Sequence, residues 1–323
     1  MALRRYLHLC FIEGFVPVGF IGAPDVSALA MVEALVVAVS GRNGSTTILL
    51  LVLIAAVLHA TWNFMAKLID DQTLGFWLIN ASVAFFGVSL VAFVGVPSRF
   101  PWTLLALSAC IHIAYNVFLL NSYRYGDLSK VYPIARGMAP PLVTIGATVI
   151  TGESLPLLQL IGIAVVALAV MSLSNIGKNK QVADRSSFMF ALLTGVMIAS
   201  YSLVDGIASR RGEDPLSYVG LLMAVEGTLV TIVLSPKCRR IWRKKISTRK
   251  LLLGFGAGGV SVVAYAIVVW AQNRAPLAEV SALRETSVIF ASIFGAVVLR
   301  EGSIAKRLIT GLAVFLGVVL LLM

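Results

Sequence analysis

The sequence predicts an all-α polytopic membrane protein of ten transmembrane helices, arranged as two inverted five-helix repeats. Three observations carry this. Of 323 residues, 59% are hydrophobic and only 13% are charged, about half the charged share of a soluble domain, and the mean hydropathy is +0.94. From residue 46 onward apolar stretches follow one another with short joints, each close to the ~20 residues a helix needs to cross the hydrocarbon core. The second half of the chain echoes the first at a nearly constant offset. A soluble globular domain is excluded. Continuous apolarity without period-two alternation excludes a β-barrel.

Residues 1–45 stand apart from the ten-span pattern as a leader. They mix Gly14, Pro17, Gly19, Gly22 and Pro24 with Glu13, Asp25 and Glu33. Arg4-Arg5 before an apolar stretch and Ser27-Ala28-Leu29-Ala30 have the form of a signal peptide, whereas Glu13 within the apolar part opposes that reading. An eleventh span, an interfacial helix and initiation at Met31 are the alternatives. The expectation is that the leader is dispensable.

The ten spans are expected over residues 46–68, 73–97, 100–123, 129–151, 155–176, 187–208, 215–235, 251–273, 277–299 and 303–323. Turn residues and charges mark the joints at Asp70-Asp71, Pro97-Ser98-Arg99, Gly152-Glu153, Gly177-Lys178 and Arg211-Gly212-Glu213-Asp214-Pro215. Pro133, Pro140 and Pro141 crowd the fourth span and are expected to break its hydrogen-bond ladder and bend it. Gly254, Gly256, Gly258 and Gly259 at the start of the eighth span favour close helix approach.

The repeat is read from paired landmarks. Tyr115 lies nine residues before Arg124 and Tyr265 nine before Arg274, an offset of 150; Arg136 lies seventeen before Glu153 and Arg284 seventeen before Glu301, an offset of 148. Gly162 and Gly311 are separated by 149. The expected units are 46–176 and 177–323. Five spans per unit is an odd number, so the second unit must cross the membrane in the opposite sense. Such repeats commonly enclose a solute site near the midplane.

The balance of 26 basic and 15 acidic residues, net +11, would also suit a nucleic-acid binder. Its placement decides otherwise, since eight bases lie between Lys237 and Lys250, in one short connector. That is a topology signal and a contact for anionic membrane lipids. Odd-numbered connectors carry 17 bases and even-numbered ones 4, which places the odd connectors in the cytoplasm and both ends of the ten-span body outside. Cys10, Cys110 and Cys238 are too few and too scattered for a disulfide framework or a metal site. No cofactor or metal is expected.

Ionisable and polar side chains within spans are functional candidates because lipid makes them costly. His59, Asn63 and Lys67 recur every four residues with Trp62 beside them, so they share one helix face. His112, Tyr115 and Asn116 share a face of the third span, Tyr201 and Asp205 one of the sixth, and Tyr265 and Gln272 one of the eighth. Converging rings and amides suit a small organic, amphiphilic substrate. Arg136 and Arg284 lie within the fourth and ninth spans, either as ion-pair clamps or as an anion site, with Asp205, Glu226, Glu279 and Glu285 as available carboxylates. Glu226, isolated in mid-span, is the candidate proton carrier.

Three stretches carry a family resemblance: Leu58-His59-Ala60-Thr61-Trp62-Asn63 with Lys67, residues 123–137 (Tyr123 to Gly137), and residues 274–288 (Arg274 to Val288). They resemble the EamA-type branch of the drug/metabolite transporter superfamily, over about residues 46–323. The resemblance implies ten helices in two inverted halves and export or exchange of small metabolites across a bacterial inner membrane. It also implies that both ends lie inside, opposite to the charge count. Related short multidrug transporters carry a coupling glutamate in the first span, and this first span has none. The rival classes are a membrane-embedded enzyme and a receptor or assembly subunit. The paired Asp motifs of prenyl transfer and the HExxH of metalloproteases are both missing from the sequence, and neither rival class explains the repeat.

Overall fold

The computed structural model describes residues 45–125, 128–172, 185–242, 246–291 and 304–323. The expected leader lies outside them but for Ser45, as do the joint at Gly177-Lys178 and the end of the ninth span. Ten helices are described: α1 (Ser45–Lys67), α2 (Gln72–Val94), α3 (Trp102–Tyr125), α4 (Leu128–Thr151), α5 (Leu157–Ser172), α6 (Arg185–Arg211), α7 (Pro215–Trp242), α8 (Thr248–Gln272), α9 (Leu277–Arg284) and α10 (Ile304–Leu322). No strand occurs among the described residues.

Seven of these helices, α1 to α4 and α6 to α8, are long and apolar enough to cross a membrane. The chain is therefore a multi-pass all-α membrane protein. Of the other three expected spans, α5 is described over 16 residues and the qualifying part of α10 is Ile309–Leu322. The ninth span is interrupted: α9 ends after eight residues, Glu285 and Thr286 form a turn, and helix resumes at 287–291.

The sequence marks the helix ends through local chemistry. Asp71 caps α2 by accepting from the Leu74 amide at 3.0 Å, and the Asp214 carboxylate accepts from the Ser217 amide at 2.7 Å in the first turn of α7. Both satisfy amides that a first turn leaves without partners. Gly95 (φ +83°) and Gly152 (φ +72°) follow the ends of α2 and α4 in the left-handed region, where glycine has no Cβ to clash.

Burial is inverted relative to a soluble protein. Large apolar side chains such as Phe93, Val149, Leu168 and Ile309 are exposed, whereas Asn80, His112, Asn116, Arg136, Asp205, Glu226, Arg284 and Glu285 are buried. Lipid solvates the former, and the latter must find partners inside.

The packing pairs follow a regular pattern. Taking α1–α5 and α6–α10 as two sets of five, second packs on second (α2 with α7), fourth on fourth (α4 with α9) and fifth on fifth (α5 with α10). Third packs on first in both directions, α3 with α6 and α8 with α1; so do fourth with first, α4 with α6 and α9 with α1, and third with second, α3 with α7 and α8 with α2. Small residues allow these approaches. A Cβ on Gly227 would lie 2.5 Å from the Ala84 amide nitrogen, and one on Gly162 would lie 2.7 Å from the Gly317 carbonyl oxygen. The glycines expected to permit close approach at α8 do so: Gly254 faces Leu78 and Gly258 faces Ser82, both on α2.

One expectation is corrected. Pro133, Pro140 and Pro141 all lie inside α4, which runs unbroken through them. A proline withholds one amide donor without necessarily ending the helix that contains it. The break falls instead at Glu285–Thr286, where no proline stands.

Candidate functional site

Helical periodicity on α1, α3, α6 and α8 turns polar and aromatic side chains inward together. The His112 and Tyr201 rings stack with centroids 4.2 Å apart, and Tyr115 meets Tyr201 edge-on at 5.6 Å. Tyr265 joins from α8, 5.9 Å from His112. On α1 the Trp62 indole N–H donates to His59 Nδ1 at 3.2 Å. These groups border two cavities. The inner one, about 100 Å³, is lined by His59, Trp62, His112, Tyr115, Asn116, Tyr201, Glu226, Tyr265 and Arg284. The outer one, about 240 Å³, shares His59, Trp62 and Tyr115, adds Asn63 and Arg136, and extends to Lys67, Asp70 and Gln72 at the α1–α2 connector.

Below the inner cavity Asp205 is fully buried and accepts from three hydroxyls, those of Ser108, Tyr218 (2.6 Å) and Tyr265. Three donors on one carboxylate offset much of the cost of keeping it charged in a dry site. His112 Nδ1 lies 3.0 Å from the Ser108 carbonyl, which can only accept, so that nitrogen carries a proton. Nε2 is left facing two carboxylates, Asp205 at 4.0 Å and Glu226 at 3.9 Å. Asn116 donates to the other Glu226 oxygen at 3.3 Å. His112, Glu226, Asp205 and Asn116 thus form one buried polar cluster bordering the inner cavity.

The break after α9 is held by α4. Arg136 Nε lies 3.0 Å from Glu285 Oε2, both groups buried. Its Nη2 donates to Ser287 Oγ at 3.2 Å and reaches the Arg284 carbonyl at 3.5 Å. One guanidinium thus neutralises the carboxylate in the turn and meets the negative end of α9. The other end of α9 is held as well: the Leu277 amide donates to Glu153 Oε2 at 2.9 Å, a negative charge at the positive end of a helix dipole.

Glu153 also anchors a latch. Its Oε1 accepts from Arg210 Nη1 at 2.6 Å, while Arg210 Nε donates to the Gln272 carbonyl at 2.8 Å and Nη2 to the Ala275 carbonyl at 2.7 Å. The α4–α5, α6–α7 and α8–α9 connectors are thereby tied at one end of the bundle. At the end where the outer cavity emerges, the tie is weaker. There Asp70 pairs with Lys250 at 3.1 Å in an exposed position, and the Lys250 ammonium, chiefly through its hydrogen bond, holds the Asp70 carboxyl below the usual aspartate range.

Of the residues expected at the site, His59, Trp62, Asn63, His112, Tyr115, Asn116, Tyr201, Tyr265, Arg136, Arg284 and Glu226 line the two cavities. Asp205 lies behind the lining as acceptor for Tyr265. Gln272 does not join them; its carbonyl serves the latch. Among the four carboxylates considered for Arg136, the structure selects Glu285. Sequence reading missed Ser108 and Tyr218 as donors to Asp205, and Glu153 and Arg210 as a pair. Ser108 carried a signal, since 108, 112 and 116 share a helix face; the pairings of Tyr218 and Arg210 are tertiary and carried none.

Residues 185–323 match the model of the EamA-like transporter family. No curated protein matches the sequence. Among solved structures, one described only as "Crystal structure of protein" is similar in fold, with a TM-score of 0.64 at 15% identity, over 85% of this chain and 97% of that one. The second half of the chain is thus similar to the EamA-like transporter family, within a multi-pass all-α membrane fold.

Proposed function

We propose that the chain is a secondary transporter that moves a small organic solute across a bacterial inner membrane by alternating access, as an exporter or exchanger. In this reading ten spans form two inverted five-span halves. Support comes from the landmark offsets of 148–150 and from helix contacts that map onto themselves when the two sets of five are exchanged. The observation that carries the reading is the aromatic and polar cavity walled by spans of both sets. Rocking one half against the other would expose such a cavity to either side. The Arg210–Glu153 latch closes the end formed by the even connectors, and the outer cavity opens beside Lys67 and Asp70 at the odd end. By the charge count that is the cytoplasmic side.

The His112–Glu226 pair supplies the proton site for coupling in this reading. Flux of radiolabelled solutes through proteoliposomes of the purified chain, with and without an imposed pH gradient, tests both parts. Solute flux above protein-free liposomes is expected, with gradient-driven flux lost in Glu226→Gln. No solute-dependent flux across a broad metabolite panel would refute the reading.

A further inference from the structure

Among the described residues, Arg284 has no carboxylate of its own. It is 4% exposed and lines the inner cavity. Its contacts are the Tyr201 hydroxyl, 3.3 Å from Nη2, and the face of the same ring at 5.9 Å. Its Nε has no hydrogen-bond partner among the described residues, and no described carboxylate lies within 4 Å of its guanidinium; Glu285 is engaged by Arg136. A guanidinium stays charged in any protein environment and is costly to bury without an anion. Two arginines and one carboxylate therefore meet at the α4–α9 crossing, and the surplus positive charge points into a cavity.

The walls beside that charge are flat and largely apolar. Trp62, His59, Tyr115, Tyr201 and Tyr265 provide rings on several sides. Across the same cavity stands Glu226, which disfavours a second negative charge on the occupant. Resting on the transporter reading above, we propose that the cavity binds an organic monoanion with a planar apolar body, its charged group paired with Arg284 and its body stacked among the rings.

Binding to the purified full chain in detergent, followed by calorimetry and by thermal shift, tests this without requiring flux. The probes are benzoate, its neutral isostere benzamide, the dianion terephthalate, and sodium chloride at matched ionic strength. Benzoate is expected to bind saturably and to raise the unfolding temperature. Benzamide should bind roughly tenfold more weakly for want of a charge-assisted pair, and terephthalate should be weaker than benzoate. Arg284→Gln should reduce the benzoate-to-benzamide ratio to about one, while Arg284→Lys keeps part of it as a point charge without the fork. Trp62→Leu should weaken both probes and leave the ratio unchanged. Equal binding of benzoate and benzamide, no binding of either, or a benzoate effect reproduced by chloride would each overturn the proposal, and these wild-type comparisons stand even if Arg284→Gln does not fold. Arg284-dependent benzoate binding in a chain that moves no solute would uphold the anion site and refute the transport reading alone.

Discussion

The fourth helix and the ninth pack on each other, and each buries an arginine in a different way. The fourth carries three prolines and stays one 24-residue helix; the ninth carries none through its break and stops after eight residues. Each bears an arginine at the same register, Arg136 and Arg284, but the next residue is Gly137 in one and Glu285 in the other. That single difference divides the roles. Glu285 cannot be held in a dry interior without a counter-ion, and Arg136 from the unbroken helix provides it. Gly137 lets α4 lie against α5 and offers nothing to Arg284, so Arg284 is left facing the cavity. The two buried arginines thus differ: Arg136 clamps Glu285, whereas Arg284 has no carboxylate within 4 Å among the described residues.

The largest expected effect breaks the clamp. Arg136→Ala leaves Glu285 buried without its partner and should cost about 3–5 kcal/mol, read as a large fall in the unfolding temperature of the detergent-solubilised protein or as failure to obtain folded protein. Arg284→Gln removes a charge whose hydrogen-bonded side-chain partner among the described residues is Tyr201, and is expected to leave that temperature unchanged or raise it. Equal destabilisation by the two variants would show that both arginines are clamps.

The division of roles was only half visible in the sequence. Both arginines, the polar faces of α1, α3, α6 and α8, and the isolation of Glu226 were legible because helical spacing projects them onto faces and lipid makes each exception conspicuous. The break at Glu285–Thr286 was not, since it is stabilised by Arg136 reaching across from another helix and no proline marks it. The choice of Glu285 over Asp205 and Glu279 was equally hidden: Asp205 is already satisfied by hydroxyls from three other helices, which only the assembled bundle brings together. Glu153 and Arg210 read as residues of solvated joints because nothing local shows that three connectors converge there.

A second test addresses the glycine side of the comparison. A Cβ on Gly137 would lie 2.5 Å from Met171 Cγ and 2.9 Å from the Ala167 carbonyl oxygen. The carbonyl belongs to the α5 backbone and cannot swing aside, so Gly137→Ala is expected to cost about 1–3 kcal/mol by overpacking. Normal thermal stability in that variant would mean that α4 and α5 can separate freely and that the glycine is not what sets their distance. A smaller loss, about 1 kcal/mol, is expected for Glu153→Gln, which retains an acceptor for the Leu277 amide but gives up the charge on Arg210. The same variant should make the even-connector end more accessible to a membrane-impermeant thiol reagent at a cysteine introduced at Ala275.

The smallest effect is expected at the other end of the bundle, where Asp70 and Lys250 form the weaker tie. Asp70 is exposed, so the pair is screened by solvent and salt. Its carboxyl nevertheless titrates below the ordinary aspartate value, chiefly because of the hydrogen bond from Lys250. A carboxylate whose folded pKa is depressed adds stability above its unfolded value, about 4, and loses that contribution as the pH falls through the folded pKa. Asp70→Asn should therefore lower the unfolding temperature slightly at neutral pH, less than Glu153→Gln does, and make no difference well below pH ~4. Thermal unfolding of the two variants at neutral and acid pH, at low and high salt, makes the comparison. If Asp70→Asn destabilised as much as Glu153→Gln and salt left its effect unchanged, the Asp70–Lys250 pair would be as firm a tie as the Arg210–Glu153 latch, and the proposed opening at the odd-connector end would lose its physical basis.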